Sequence, residues 1–293
     1  MAIKESELLI NEDGSLYHIN LLPSDIANTI ILVGDQDRVK LVASYFDGIE
    51  LQKNNREFYT CTGRLNGERL TVISTGIGTD NIDIVINELD ALVNIDLKTR
   101  QIKAEKIQLN FIRIGTSGGL QAEYTPGSYL VSDASIGFDG MLNYYDDVLK
   151  YTDLEFEKAF KLHTDWNPRL AAPYIIQASK SLNQLFVGEK YKNGITISAN
   201  GFYGPQGREL RLKTQDAQLN DKIHTFEYQN RNIANYEMES SALLGLSKML
   251  GHKAATVCLI IANRITKDSI TDYHPQMKAL ILDLLTKITE PKI

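Results

Sequence analysis

Ile31–Val39 reads ILVGDQDRV, an apolar run closed by Gly-Asp that joins a predicted strand to a following helix. Similar short apolar runs, bounded by glycine or polar turns, recur at Ile30–Val33, Leu70–Ser74, Phe111–Gly115, Ser128–Ser132, Ile195–Ser198 and Ala255–Ala262. Each reads as a buried strand. Between them Ile82, Val85, Ile86, Leu89 and Val93 share one helical face, as do Tyr174, Ala178, Leu182 and Leu185. Ser240–Leu250 and Met277–Ile288 predict two more helices, the second opened by Pro275 and carrying Leu280, Leu284 and Ile288 on one side. Strands alternating with helices predict an α/β fold.

The composition sets the bounds of that fold. With 293 residues, 43% hydrophobic and 23% charged, and with no internal repeat or strong linker, the chain reads as one folded unit. The charged stretch Asp96–Lys106 predicts an exposed insertion or a helix extension. A net charge of −6 and a pI near 5.5 speak against nucleic acid or an anionic membrane as partner, so any phosphate site must be locally basic. Cys61 and Cys258 lie in apolar stretches without zinc-site spacing or disulfide density, which fits a reducing compartment. The N-terminal residues lack the apolar core of a signal peptide and no run approaches ~20 apolar residues. The expectation is a soluble, cytoplasmic protein.

Two segments carry candidate chemistry on their own terms. In ILVGDQDRV, Gly34 can present its backbone amide to an anion while Arg38 supplies charge, although a tight turn would read the same way. In FIRIGTSGG, Phe111–Gly119, an arginine sits inside an apolar strand, where burial is costly unless an anion or a core carboxylate meets Arg113. The glycines that follow permit close backbone approach, and the hydroxyls of Thr116 and Ser117 can donate to a phosphate or a sugar.

GDQDRV, STGIG, RIGTSGG and NYEMES stand in the order and approximate spacing of the nucleoside phosphorylase family, which the chain resembles from Tyr17 and His18 to the C-terminal helix. Residues 1–16 then read as an N-terminal extension and 17–293 as the phosphorylase-like domain. The resemblance implies a three-layer α/β/α sandwich around a mixed sheet, inorganic phosphate as co-substrate, and no organic cofactor. It implies a phosphate pocket of Gly34, Arg38, Arg113 and Thr116, with Arg56 of NNREFYT reaching in from a neighbouring subunit. Guanidinium forks would hold the dianion in fixed directions. Glu239 and Met238 of NYEMES would meet the ribose, the carboxylate accepting from its hydroxyls and favouring a cationic sugar. His18 would reach the ribose 5′-hydroxyl across a subunit interface with Tyr17 beside it, so self-association as a dimer or hexamer is implied. Glu57 and Ile77 match positions at an interfacial potassium site of some members, with Asn81 where those members carry serine.

For the base, GFYGPQGR places Phe202, Gln206 and Arg208 in one turn-rich segment, a set that resembles the uridine-cleaving members of the family. A glutamine amide offers a donor and an acceptor to uracil, and Arg208 can stabilise charge on the departing base. Tyr17, Ser117, Gly118, Tyr236, Glu237 and Ile261 would complete the base pocket. CLIIANRIT offers Asn263 and Arg264 where a purine-specific relative is expected to carry an aspartate, with Arg264 directed at Gln206. The implied reaction is phosphorolysis of uridine to uracil and ribose 1-phosphate, with Arg208, Gln206, Glu239 and Arg264 as catalytic groups. Rival readings are a purine or broad-specificity phosphorylase, a hydrolytic nucleosidase, and a nucleoside-binding protein without turnover.

Overall fold

The computed structural model describes residues 2–290. Its strands are β1 (Thr29–Val33), β2 (Gly48–Asn55), β3 (Phe58–Leu65), β4 (Glu68–Ser74), β5 (Ile95–Asp96), β6 (Gln101–Ile102), β7 (Asn110–Gly119), β8 (Tyr129–Gly137), β9 (Tyr174–Gln177), β10 (Tyr191–Ser198), β11 (Glu227–Tyr228), β12 (Arg231–Glu237) and β13 (Lys253–Asn263). Its α-helices are α1 (Gln36–Ala43), α2 (Thr79–Asn94), α3 (Leu154–Thr164), α4 (Lys180–Asn183), α5 (Leu219–Thr225), α6 (Ser240–Met249) and α7 (His274–Thr289).

One mixed sheet runs in the order β11-β12-β10-β8-β13-β7-β1-β4-β3-β2, with β9 paired to β8. The alternating side chains of β1 show why it is covered on both faces. Ile30 and Leu32 pack in one core with Ile86 and Leu89 of α2 and Leu243 of α6. Ile31 and Val33 pack in another with Val39 and Val42 of α1 and Leu280 and Leu284 of α7. These are the three layers that the family resemblance implies. A third core lies beyond them, where Phe156 and Phe160 of α3 meet Ile223 of α5 and Ile197 of β10.

The sheet also closes partly on itself. β12 pairs with β10 and, through Asn235–Gly119 and Tyr236–Gly118, with β7. Strands β7, β13, β8, β10 and β12 therefore form a ring, and its closing seam lays NYEMES directly against RIGTSGG.

The Tyr174–Leu185 helix expected from spacing is instead β9 followed by the single turn α4. Tyr174, Ile175 and Ile176 are all buried and pair antiparallel with Gly137–Ser135, so cross-strand packing outweighs a four-residue apolar repeat. Asp96–Lys106 carries the β5–β6 hairpin rather than a continuation of α2. The Ile3 amide donates to the Arg100 carbonyl at 2.7 Å and the Arg100 guanidinium to the Leu8 carbonyl at 2.7 Å, so the N-terminal residues dock on this hairpin. Residues 1 and 291–293 of the two expected spans lie outside the described residues. Among those described, no helix is long and apolar enough to cross a membrane, and Cys61 and Cys258 are free and buried.

Candidate active site

A cavity of about 400 Å³ opens where the closing seam meets the ends of β1 and β13. Its wall holds Gly34, Arg38, Arg113, Thr116, Ser117, Gly118, Phe202, Gln206, Arg208, Tyr236, Glu237, Met238, Glu239 and Ile261. These are most of the residues singled out from sequence. Asp35 and Ala262, which carry no expected role, also line it, as does Gly115, one of the glycines expected to permit close approach, and Ile77, matched above to a cation site, lies in the wall as well.

One end is basic. β1 ends at Val33 and the chain turns at Gly34, whose Cα lies close enough to Arg113 that an added Cβ would sit 3.9 Å from its guanidinium. Asp35 caps α1, accepting from the Arg38 amide at 2.8 Å, and its carboxylate pairs with the Arg38 guanidinium at 3.1 Å. That pairing holds Arg38 against the opening. The cap signal, an aspartate just before a helix, is what marks Asp35 in the sequence, whereas Ala262 contributes no side-chain chemistry to read.

The middle is a buried charge cluster. Arg113 is 4% exposed and donates to Glu239 at 2.6 Å and to the Thr75 hydroxyl at 3.3 Å. Glu239 also accepts from the Gly78 amide at 2.8 Å, in the STGIG turn before α2. Glu237 lies 4.0 Å from the Arg113 Nε, which makes no hydrogen bond, and the buried Ser117 hydroxyl makes none either. Glu237 itself is saturated. It accepts from the Glu239 amide at 2.9 Å, from the Ser240 amide at 3.0 Å and from the Ser198 hydroxyl, and so holds the amides at the entry to α6. Burial, then the charge of Glu239, pushes its carboxyl up to about 7.

The other end is built by the segment Gly201–Arg208. The Arg208 guanidinium lies 3.8 Å from the Phe202 ring centroid and donates to the Gln206 side-chain carbonyl at 2.6 Å. Arg264 donates to that same oxygen at 3.2 Å and to the Gln206 peptide carbonyl, and stacks over Tyr236 at 4.9 Å. With both arginines on its oxygen, the amide nitrogen of Gln206 is left as the donor for a ligand. Burial, then the charge of Arg264, lowers Arg208 to about 10. Asn263 is turned away. Its amide donates to the Gln121 and Tyr124 carbonyls at 2.8 and 2.9 Å, and its oxygen accepts from the Ile265 and Thr266 amides.

Tyr17, His18 and Arg56 do not line this cavity; they gather at the tip of the β2–β3 hairpin. The Arg56 guanidinium donates to the Tyr17 hydroxyl at 3.1 Å and sits over its ring. Asn55 donates to the Tyr17 and His18 carbonyls at 3.1 and 2.8 Å, and His18 Nδ1 meets Glu88 at 2.5 Å. At the matched potassium positions, the Asn81 amide donates to the Ile77 carbonyl at 3.2 Å.

The phosphorylase superfamily model matches residues 28–288. The chain is 30% identical over 263 residues to the uridine phosphorylase of Thermococcus kodakarensis, covering 88% of this chain and 80% of that protein. It is 30% identical to the Escherichia coli uridine phosphorylase, covering 86% and 88%. A crystal structure of a Trypanosoma brucei nucleoside phosphorylase, described as showing uridine phosphorylase activity, superposes with a TM-score of 0.85 at 27% identity over 95% of this chain and 99% of that one. With a family match that runs from β1 into α7 and a fold shared over nearly its whole length, this chain belongs to the phosphorylase superfamily.

Proposed function

We propose that the protein is a uridine phosphorylase, a cytoplasmic pentosyltransferase that converts uridine and inorganic phosphate to uracil and ribose 1-phosphate. One observation carries the reading. A single cavity has a basic end at Arg38 and Arg113, a carboxylate at Glu239 in its middle, and a cationic, amide-bearing end at Gln206 and Arg208. Phosphate, ribose and base fit that order. The uridine phosphorylases of two organisms named above support the choice of base.

In this mechanism phosphate rests against Gly34, Arg38, Arg113 and Thr116, and one of its oxygens bonds to the anomeric carbon as the bond from that carbon to N1 breaks. The base leaves with the electron pair. Glu239 accepts from the ribose hydroxyls and, with phosphate, faces the positive charge growing on the sugar, while Met238 packs on its apolar side. The Gln206 amide and Arg208 donate to the uracil carbonyls that take up the negative charge, and Arg264 holds Gln206 in place. Phe202, Tyr236, Ile261, Ser117 and Gly118 surround the ring. In this reading no organic cofactor takes part, and Glu57 and Ile77 are the candidate positions for a potassium ion at a subunit interface.

Arg56, His18 and Tyr17 enter the site from a second subunit. Their clustering on one hairpin tip, away from the cavity of their own chain, supports an assembly that is at least a dimer. The test is product analysis by phosphorus NMR of uridine with phosphate. Ribose 1-phosphate appearing in step with uracil is expected, and free ribose in its place would make the enzyme a hydrolase.

A further inference from the structure

The base end of the cavity rests on an exposed segment. Phe202 and Tyr203 are 50% and 53% exposed, yet Gln206 between them and Arg208 is 3% exposed. Something beyond the lining must hold it. The Gln206 peptide carbonyl accepts from Arg264 and, at 3.2 Å, from the side-chain amide of Asn220 on α5. The other end of the same side chain accepts from the Tyr236 hydroxyl at 3.0 Å. Asn220 is half-buried and does not line the cavity, but it ties the base-facing turn to the cavity wall.

The backbone is shaped to admit it. Gly207 has φ +69°, a conformation glycine adopts without strain, and a Cβ there would overlap the Asn220 amide nitrogen. Turn and side chain are thus fitted to each other. Moving the Gln206 peptide would also move the amide nitrogen that Arg208 and Arg264 leave free to donate.

We propose that Asn220, anchored on the Tyr236 hydroxyl, is a positioning residue for base recognition that acts through Gln206 without touching the nucleoside. This rests on the uridine reading above. Asn220 is a polar residue whose two amide atoms each have one partner of the correct polarity, and replacing it by leucine keeps the volume while removing both hydrogen bonds.

The experiment is a double-mutant cycle between Asn220→Leu and Gln206→Ala, read as kcat/KM for uridine, with KM for phosphate measured in parallel. In the wild-type background Asn220→Leu is expected to lower kcat/KM for uridine about tenfold, the scale of one well-placed hydrogen bond, and to leave KM for phosphate unchanged. In the Gln206→Ala background the same substitution is expected to cost less than about twofold, because the side chain it positions is gone. An unchanged kcat/KM in the first background, or an equal loss in both, would overturn the proposal. If Asn220→Leu does not fold, Asn220→Asp keeps the acceptor for Tyr236, loses the donor to Gln206, and is read in the same cycle. A wild type that fails to cleave uridine removes the functional reading alone, and the cycle is then run on the nucleoside it does cleave.

Discussion

Arg113 is a buried cation that the fold can keep only with a partner, and the partner it has is Glu239, the carboxylate proposed to meet the ribose. Glu237 fixes that pair by holding the amides of Glu239 and Ser240. Its carboxyl, raised from 4.5 to about 7 by burial and by Glu239, binds its proton more tightly in the folded protein than in the unfolded chain. Its contribution to stability is therefore present below pH 4.5 and is lost as the pH rises to about 7. Denaturant unfolding of wild type and Glu237→Gln across that range should show the wild type losing stability relative to the variant as pH rises. Parallel curves would mean that Glu237 ionises in the fold as it does in water. Arg113 was legible in the sequence because a charge inside an apolar strand demands a reason, and Glu237 and Glu239 because NYEMES resembles a motif of the family. Their pairing was not, since it depends on a seam between strands more than a hundred residues apart in sequence.

The elements that position the site are mostly turns at strand ends. β13 ends at Asn263, whose side chain makes four hydrogen bonds to backbone groups of Gln121, Tyr124, Ile265 and Thr266. This turn delivers Arg264 to Gln206. Asn263→Ala should lower stability by about 2 kcal/mol, because it leaves buried backbone groups without partners. It should also weaken uridine cleavage through Arg264, and a variant with unchanged melting temperature and kcat/KM would show that the turn holds itself. The buried strands and the amphipathic α2, α6 and α7 were readable from periodicity. The β2–β3 hairpin was not, because β2 is largely exposed and polar, and β9 was misread because its apolar spacing satisfies a helix until pairing with β8 is known. Asn220 gave no signal at all, as nothing local marks a side chain that serves a turn fourteen residues earlier.

At the scale of the whole molecule, one chain supplies the walls proposed for phosphate, sugar and base but carries Arg56, His18 and Tyr17 elsewhere. If these belong to a partner's cavity, Arg56→Ala and Glu239→Ala subunits, each inactive alone, should complement when refolded together. Random mixing into dimers predicts about a quarter of wild-type activity, since half of the dimers would carry one intact site of two. A mixture no more active than its components would confine the site to one chain. The central claim, however, concerns the reaction itself. It is tested most directly by release of free base from uridine, thymidine and inosine, each with and without inorganic phosphate. The account predicts phosphate-dependent release from uridine and little from inosine; release without phosphate, or preferential cleavage of inosine, would contradict it.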